Sequence, residues 1–146
     1  MFHSSQSKLL LVESDPLLSD LTSFRLELLG FQIETLNSGS DALSSLSREL
    51  PDLLIMGTEL RDGDGIELVA RLRTKNPPEQ LPILICSLDS SLETVERAFA
   101  AGAQDYLITP YDPSVLEQKI QDLLQAYRSA VRKNRPNLNA KTGSVR

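Results

Sequence analysis

Five short apolar runs recur along the chain, each followed by a segment whose large apolar residues return every three or four positions. Lys8-Leu9-Leu10-Leu11-Val12, Phe31 to Leu36, Pro51 to Gly57, Leu81 to Ser87 and Gln104 to Thr109 have the length and polar flanks of strands. The third is apolar without interruption from Leu53 to Met56, the mark of a strand covered on both faces. The intervening helices have readable starts and stops. Asp15-Pro16 offers an N-cap and a proline at the first helical position, Leu17, Leu21, Phe24 and Leu28 form the expected core stripe, and Gly30 ends the helix. Ser38-Gly39-Ser40-Asp41 opens a second helix carrying Leu43, Leu46 and Leu50. Asp64 with Glu67 opens a third, carrying Ile66, Val69 and Leu72 up to Asn76-Pro77-Pro78. Ser90 with Glu93 predicts a capping box for a fourth, with Leu92, Val95 and Phe99 inward and Gly102 at its end. Asp112-Pro113 starts the longest, striped by Leu116, Ile120, Leu123 and Tyr127 and fading after Val131.

Strict strand–helix alternation predicts an α/β fold: a parallel sheet, right-handed crossovers and helices on both faces. Such a sheet brings the carboxyl ends of its strands to one rim, where ligands and active sites of this class lie. Strand one leads into Glu13 and Ser14, strand three ends on Gly57, strand four on Ser87 and strand five on Thr109. After Gly57 comes an acidic loop, Thr58-Glu59-Leu60-Arg61-Asp62-Gly63-Asp64-Gly65.

At 146 residues the chain suits one domain with a proper core. Residues 8–131 form the expected domain, between a disordered N-terminal segment 1–7 and a basic, disordered tail 132–146. No apolar run approaches the roughly 18 residues of a membrane span, and the first residues lack the apolar core of a signal peptide. The only cysteine, Cys86, has no partner within the chain and reads as a buried inert thiol, which fits a reducing cytoplasm. The one histidine, His3, lies in the terminal segment, so a histidine-based metal site or triad has no support. The net charge of −5 is unevenly spread. All 20 acidic residues precede Arg128, after which Arg132, Lys133, Arg135, Lys141 and Arg146 stand without an acid. The acidic body repels nucleic acid, and the tail reads as solvated.

Several local patterns then converge: Leu11-Val12-Glu13, Gly39-Ser40-Asp41-Ala42-Leu43, Pro51-Asp52-Leu53, Asp62-Gly63-Asp64-Gly65, and Ala101-Gly102-Ala103-Gln104-Asp105-Tyr106-Leu107 running on to Pro110. Over roughly Lys8 to Leu124 the chain resembles a response regulator receiver domain of two-component signalling. The resemblance implies a flavodoxin-like (βα)5 doubly wound sheet in the order 2-1-3-4-5, a case the order's standard illustration already includes. It also implies a set of functional positions: two acids for Mg²⁺ after strand one, an aspartate ending strand three that becomes an acyl phosphate, a hydroxyl ending strand four and a lysine ending strand five. Here those positions hold Glu13 and Ser14, Gly57, Ser87 and Thr109. Glycine has no nucleophilic atom, one carboxylate is a weak basis for Mg²⁺, and without the lysine nothing offsets a phosphoryl charge.

The expectation is therefore a degenerate receiver, or pseudo-receiver: a protein–protein interaction module with no catalytic residue, no cofactor and no metal, Glu13 and Glu59 being weak metal candidates. The resemblance further implies a switch pairing Ser87 with the aromatic Tyr106, a contact face on helix 4, strand 5 and helix 5 that includes Tyr111, and a cis Thr109–Pro110 bond. The partner expected is a signalling protein or a second copy through that face, and neither a membrane nor nucleic acid. Two alternatives stand beside it. One is an active phosphotransfer receiver using a displaced carboxylate, with Asp15, Asp62, Asp64 and Asp89 as further acids read as caps or turn residues. The other is a small-ligand-binding flavodoxin-like protein, disfavoured because Glu13-Ser14-Asp15-Pro16 is no phosphate cradle.

Overall fold

The computed structural model describes residues 7–134. The expectations for 1–6 and for the tail from 135 onward fall outside the described residues. In chain order the elements are β1 (Lys8–Val12), α1 (Pro16–Leu28), β2 (Gln32–Leu36), α2 (Gly39–Arg48), β3 (Leu53–Met56), β4 (Glu59–Leu60), β5 (Gly63–Asp64), α3 (Gly65–Arg73), β6 (Ile83–Ser87), α4 (Leu92–Ala101), β7 (Asp105–Ile108) and α5 (Pro113–Asn134). Five strands pair in parallel in the order β2-β1-β3-β6-β7. This is the expected doubly wound order, with the fourth and fifth main strands here numbered β6 and β7. The additional β4–β5 pair is a small antiparallel hairpin in the acidic loop, with Glu59 opposite Asp64.

Two apolar layers sandwich the sheet. Leu10, Val12, Leu54, Met56, Ile83 and Ile85 face one, with Val69, Leu72 and Ala98 from α3 and α4. Leu9, Leu11, Leu53, Ile55 and Leu84 face the other, with Leu26 of α1 and Leu116, Ile120 and Leu124 of α5. Alternate residues of each strand thus enter opposite layers, which explains why the strands read as unbroken apolar runs.

The caps follow the sequence closely, with one shift. Asp15 accepts from the Leu17 and Leu18 amides, Ser38 from Asp41, and Asp64 from Ile66 and Glu67. At α4 the cap is Ser91, accepting from Thr94, one residue beyond the expected Ser90.

Four expectations fail. The stripe Leu17, Leu21, Phe24 and Leu28 lies on one face of α1, but that face is solvent-exposed, each residue between 57% and 70% accessible. The inner face is made by Thr22 and Leu26 instead. Because α1 carries apolar residues on more than one side, with Leu18 and Leu26 apart from the Leu17, Leu21, Phe24 and Leu28 stripe, spacing alone does not reveal which side the sheet takes. On α4, Leu92 and Phe99 are likewise exposed and Ala98 is the buried contact, so the close approach of α4 uses a small side chain. Ser7 is 2% exposed, although it was assigned to the disordered N-terminal segment. Its carbonyl accepts from the Gln32 amide and its hydroxyl from Arg128 Nη2 at 2.8 Å, which tie it to β2 and α5. The helix α5 also extends to Asn134, past the expected end of the domain.

One residue with no mark in the sequence holds a corner of the fold. Half-buried Arg73 donates to the carbonyls of Gly102, Asn76 and Leu81 and to Gln104 Oε1, at 2.7–2.9 Å. Gln104 Oε1 also accepts from the Ile83 amide. The fork therefore joins the end of α3, the entry to β6 and the end of α4. Gly102 sits at φ +121°, and a Cβ there would come within 2.5 Å of Arg73 Cγ. Arg73→Met should lower stability by about 2–3 kcal/mol in urea unfolding, because several carbonyls lose a charged donor. Arg73→Lys should recover little of it, since an ammonium cannot reproduce the planar fork.

Candidate functional site

Parallel pairing of β1, β3, β6 and β7 brings their carboxyl ends together, and an open cleft forms there. Its described lining includes Glu13, Ser14, Asp15, Gly57, Thr58, Glu59, Ser87, Asp89 and Thr109. The candidate positions Glu13, Ser14, Gly57, Ser87 and Thr109 are therefore assembled at one site. No lysine or arginine is among the described residues that line it. A second hollow lies along the β1–β2 edge, lined by Lys8, Gln32, Glu34, Ser45 and Glu49, and holds none of these candidates.

At the centre is Gly57, whose amide donates to the Val12 carbonyl at 3.0 Å. A Cβ built on Gly57 would lie 3.1 Å from Glu13 Oε1. The Glu13 carboxylate thus stands beside the point where any side chain at 57 would begin. Its Oε2 accepts from the Asp15 amide at 3.0 Å. Burial pushes the Glu13 carboxyl above its ordinary value, against the pull of the Asp15 amide and with the added push of the Asp15 charge.

Ser14 donates its hydroxyl to the Glu59 carbonyl at 2.8 Å, closing the acidic loop onto β1. The Glu59 side chain itself is exposed. On the β6 side the Thr58 and Ser87 hydroxyls share a 2.8 Å hydrogen bond, and Ser87 Oγ accepts from the Asp89 amide at 3.0 Å. Thr109 is buried, its amide donates to the Ser87 carbonyl at 2.8 Å, and its bond to Pro110 is cis, as expected.

The proposed switch pair is adjacent, but its aromatic is turned inward. Tyr106 is 8% exposed, packs in the apolar layer with Ile83 and Ile85, and donates its hydroxyl to the Asp89 carbonyl. Burial raises the phenol above its ordinary value while the Ser87 hydroxyl works in the opposite direction. Tyr106 is thus unavailable as a surface anchor in this conformation. Tyr111 is also no free surface residue: its hydroxyl bonds the Thr22 hydroxyl at 2.6 Å, and its ring packs on the α1–α5 side. It joins α1 to the loop before α5. Phe99, expected in the core, is 46% exposed on α4.

The remaining acids have structural partners. Asp62 accepts from the Gly39 and Ser40 amides at 2.6 and 3.0 Å, so it holds the start of α2 from another loop, which lowers its carboxyl below the ordinary range. Asp64 caps α3 and meets Arg97 at 3.0 Å. Asp89 accepts from the Ser91 amide and the Thr94 hydroxyl. Cys86 is buried and its thiol is pushed up to about 12, mainly by burial, as an inert thiol would be.

The family pattern of the response regulator receiver domain matches residues 9–121. The chain belongs to that family. It is 34% identical over 124 residues to the phosphate regulon transcriptional regulatory protein PhoB of Rhizobium meliloti, covering 85% of this chain and 55% of that protein. It is equally 34% identical over 123 residues to an uncharacterized 14.6 kDa protein of Leptolyngbya boryana, covering 84% of this chain and 94% of that one. The receiver thus spans about half of the first relative and nearly all of the second. Among solved structures, the chemotaxis response regulator CheY4 of Vibrio cholerae superposes with a TM-score of 0.74 at 26% identity, over 80% of this chain and 98% of that one. A CheY-like receiver domain protein of Methanospirillum hungatei gives 0.78 at 25% identity, over 84% and 97%.

The raised Glu13 carboxyl gives this receiver a pH signature. The folded cleft disfavours the ionised form, so Glu13 reduces stability at neutral pH. That cost disappears as pH falls below the ordinary value of 4.5, where folded and unfolded chains both hold the proton. Glu13→Gln keeps an oxygen for the Asp15 amide and should melt higher than the parent at pH 7. The difference should shrink toward about pH 4; an equal shift at both values would show that the carboxylate charge is not its origin.

Proposed function

We propose that this receiver is a signalling contact module whose conformation is set without aspartyl phosphorylation. The observation that carries the reading is the combination at the cleft centre: Gly57 presents no nucleophilic oxygen, and Glu13 Oε1 borders the space a side chain would need. Phosphoryl transfer depends on positioning and on neutralising charge. Here the cleft is lined by the acids Glu13, Asp15, Glu59 and Asp89 with no lysine or arginine among the described lining residues, and Thr109 is neutral where the family pattern has lysine.

The residues present do not fit Mg²⁺. The ion takes an octahedron of hard oxygens and is ordinarily held by carboxylates. Ser14 directs its hydroxyl proton at the Glu59 carbonyl and so ties loop to strand by a hydrogen bond. Among the described residues no three His, Cys, Asp or Glu side chains converge as ion ligands. For the displaced-carboxylate alternative, Asp15, Asp62, Asp64 and Asp89 are each engaged by backbone amides, which leaves the exposed Glu59 side chain as its remaining candidate.

The contact surface of this reading is the α4–β7–α5 face. Leu92, Phe99, Ile108 and Val115 are all exposed there, between 41% and 71% accessible. With the Tyr106 and Tyr111 hydroxyls held by hydrogen bonds within the domain, these apolar side chains are the candidate anchors of the face. A second signalling protein, or a second copy of the chain, is the partner this face suits. No described helix is long and apolar enough to cross a membrane.

Incubation with acetyl phosphate and Mg²⁺ should leave the intact mass unchanged, and millimolar Mg²⁺ should leave the melting temperature in place. Gly57→Asp alone should label weakly at most, because its Cβ meets Glu13 and both Ser14 and Thr109 stay unsuited. A stoichiometric, hydroxylamine-labile gain of one phosphoryl group by the parent chain would refute the reading.

The face makes a separate prediction. Once a partner is isolated, Phe99→Asp should weaken its binding by tenfold or more, about 1.4 kcal/mol, whereas Arg48→Ala on α2 should not. The reverse pattern would move the contact to the α2 side.

A further inference from the structure

The exposed stripe on α1 is unexplained by the cleft or by the α4–β7–α5 face. Leu17, Leu21, Phe24 and Leu28 are 66%, 57%, 61% and 70% accessible. Their spacing is four, three, four, the alternation of d and a positions in a heptad seam. Thr22 and Leu26, which hold α1 to the sheet, fall on the opposite side of the helix. The seam therefore points straight away from the domain.

The flanking charges carry the argument further. With Leu21 and Leu28 at a and Leu17 and Phe24 at d, Asp20 occupies g and Arg25 the following e position. In a parallel, in-register pair of helices, g on one chain meets e five residues on in the other. Asp20 of each copy then faces Arg25 of its mate, twice by symmetry. An antiparallel pair would instead set Asp20 beside the Glu27 side of its mate. Among the described residues neither Asp20 nor Arg25 forms a salt bridge within its own chain.

We infer that α1 is a homodimerisation helix, pairing in parallel and in register with α1 of a second copy through the Leu17–Leu21–Phe24–Leu28 seam and reciprocal Asp20–Arg25 bridges. The occupant is a second copy of this chain because its own charges complement themselves in that arrangement alone. A seam of this length would not associate as a free peptide, since an isolated helix must first bear the cost of nucleation. Here the folded domain already holds α1 as a helix. The four side chains offer on the order of 500 Å² per copy, about 1,000 Å² for the pair, at the lower edge of a specific interface. The expected dimer is therefore concentration-dependent. The two-fold axis runs along the helices, so both clefts open at the same end of the assembly.

Sedimentation of the full chain across micromolar to millimolar concentration tests this. The parent should shift from monomer to dimer, and Phe24→Glu should stay monomeric with an unchanged circular dichroism spectrum. Asp20→Arg and Arg25→Asp should each weaken self-association by about tenfold. Mixing the two should restore a heterodimer, because every bridge is then complementary again. A parent that remains monomeric throughout overturns the inference. So does a dimer that survives Phe24→Glu; if that dimer is lost in Phe99→Asp, the α4–β7–α5 face is the self-association surface instead. Two charge variants that fail to recognise each other, with the parent dimeric, overturn the parallel register.

Discussion

Parallel pairing forces β1, β3, β6 and β7 to finish at the same edge of the sheet. Residues separated by dozens of positions thereby become neighbours: Glu13 borders Gly57, and Ser87 lies between Thr58 and the Thr109 amide. The cleft of this receiver depends on that shared edge, because its lining residues come from the ends of those four strands. The loops beyond the edge also rely on it. Ser14 fixes the Glu59 turn, and Asp62 reaches from that turn to the first amides of α2. The acidic loop is therefore a tied structure bridging β1 and α2.

On the proposed reading, the residues at the strand ends fit one another. Glu13 Oε1 stands beside the empty position at Gly57, and burial raises the Glu13 carboxyl above its ordinary value. A neutral Thr109 sits in a buried position that would be costly for an unpaired ammonium. On the proposed reading, the lack of a cation among the described lining residues and the lack of a side chain at Gly57 belong together: adding either charge alone to this cleft leaves it without its mate.

Much of the fold was legible because strands buried on both faces and helices with strong caps leave local signatures. Asp15, Ser38, Asp64 and Gly102 did what their types suggest. The rim positions were legible once the strand ends were known. What escaped was tertiary. Which side of α1 meets the sheet depends on its neighbours, so Leu17, Leu21, Phe24 and Leu28 were assigned inward when Thr22 and Leu26 make that contact. The direction of Tyr106 depends on the Asp89 carbonyl, supplied by a different element. Arg73 looks like one more surface arginine until the carbonyls of Gly102, Asn76 and Leu81 are seen to converge on it. The β4–β5 hairpin is two residues per strand, too short for any periodicity to register.

The hydroxyl of Ser14 holds the Glu59 carbonyl through a tether that is part of the chain. A tethered group is present at full occupancy whatever the ionic composition around it, whereas a dissociable bridge follows the supply of its ion. On the proposed reading, neither ion nor phosphodonor levels would tune this loop. The variable left to a cell is then the number of copies it makes and keeps. Such a domain would report abundance by mass action, its signal rising and falling with synthesis and degradation.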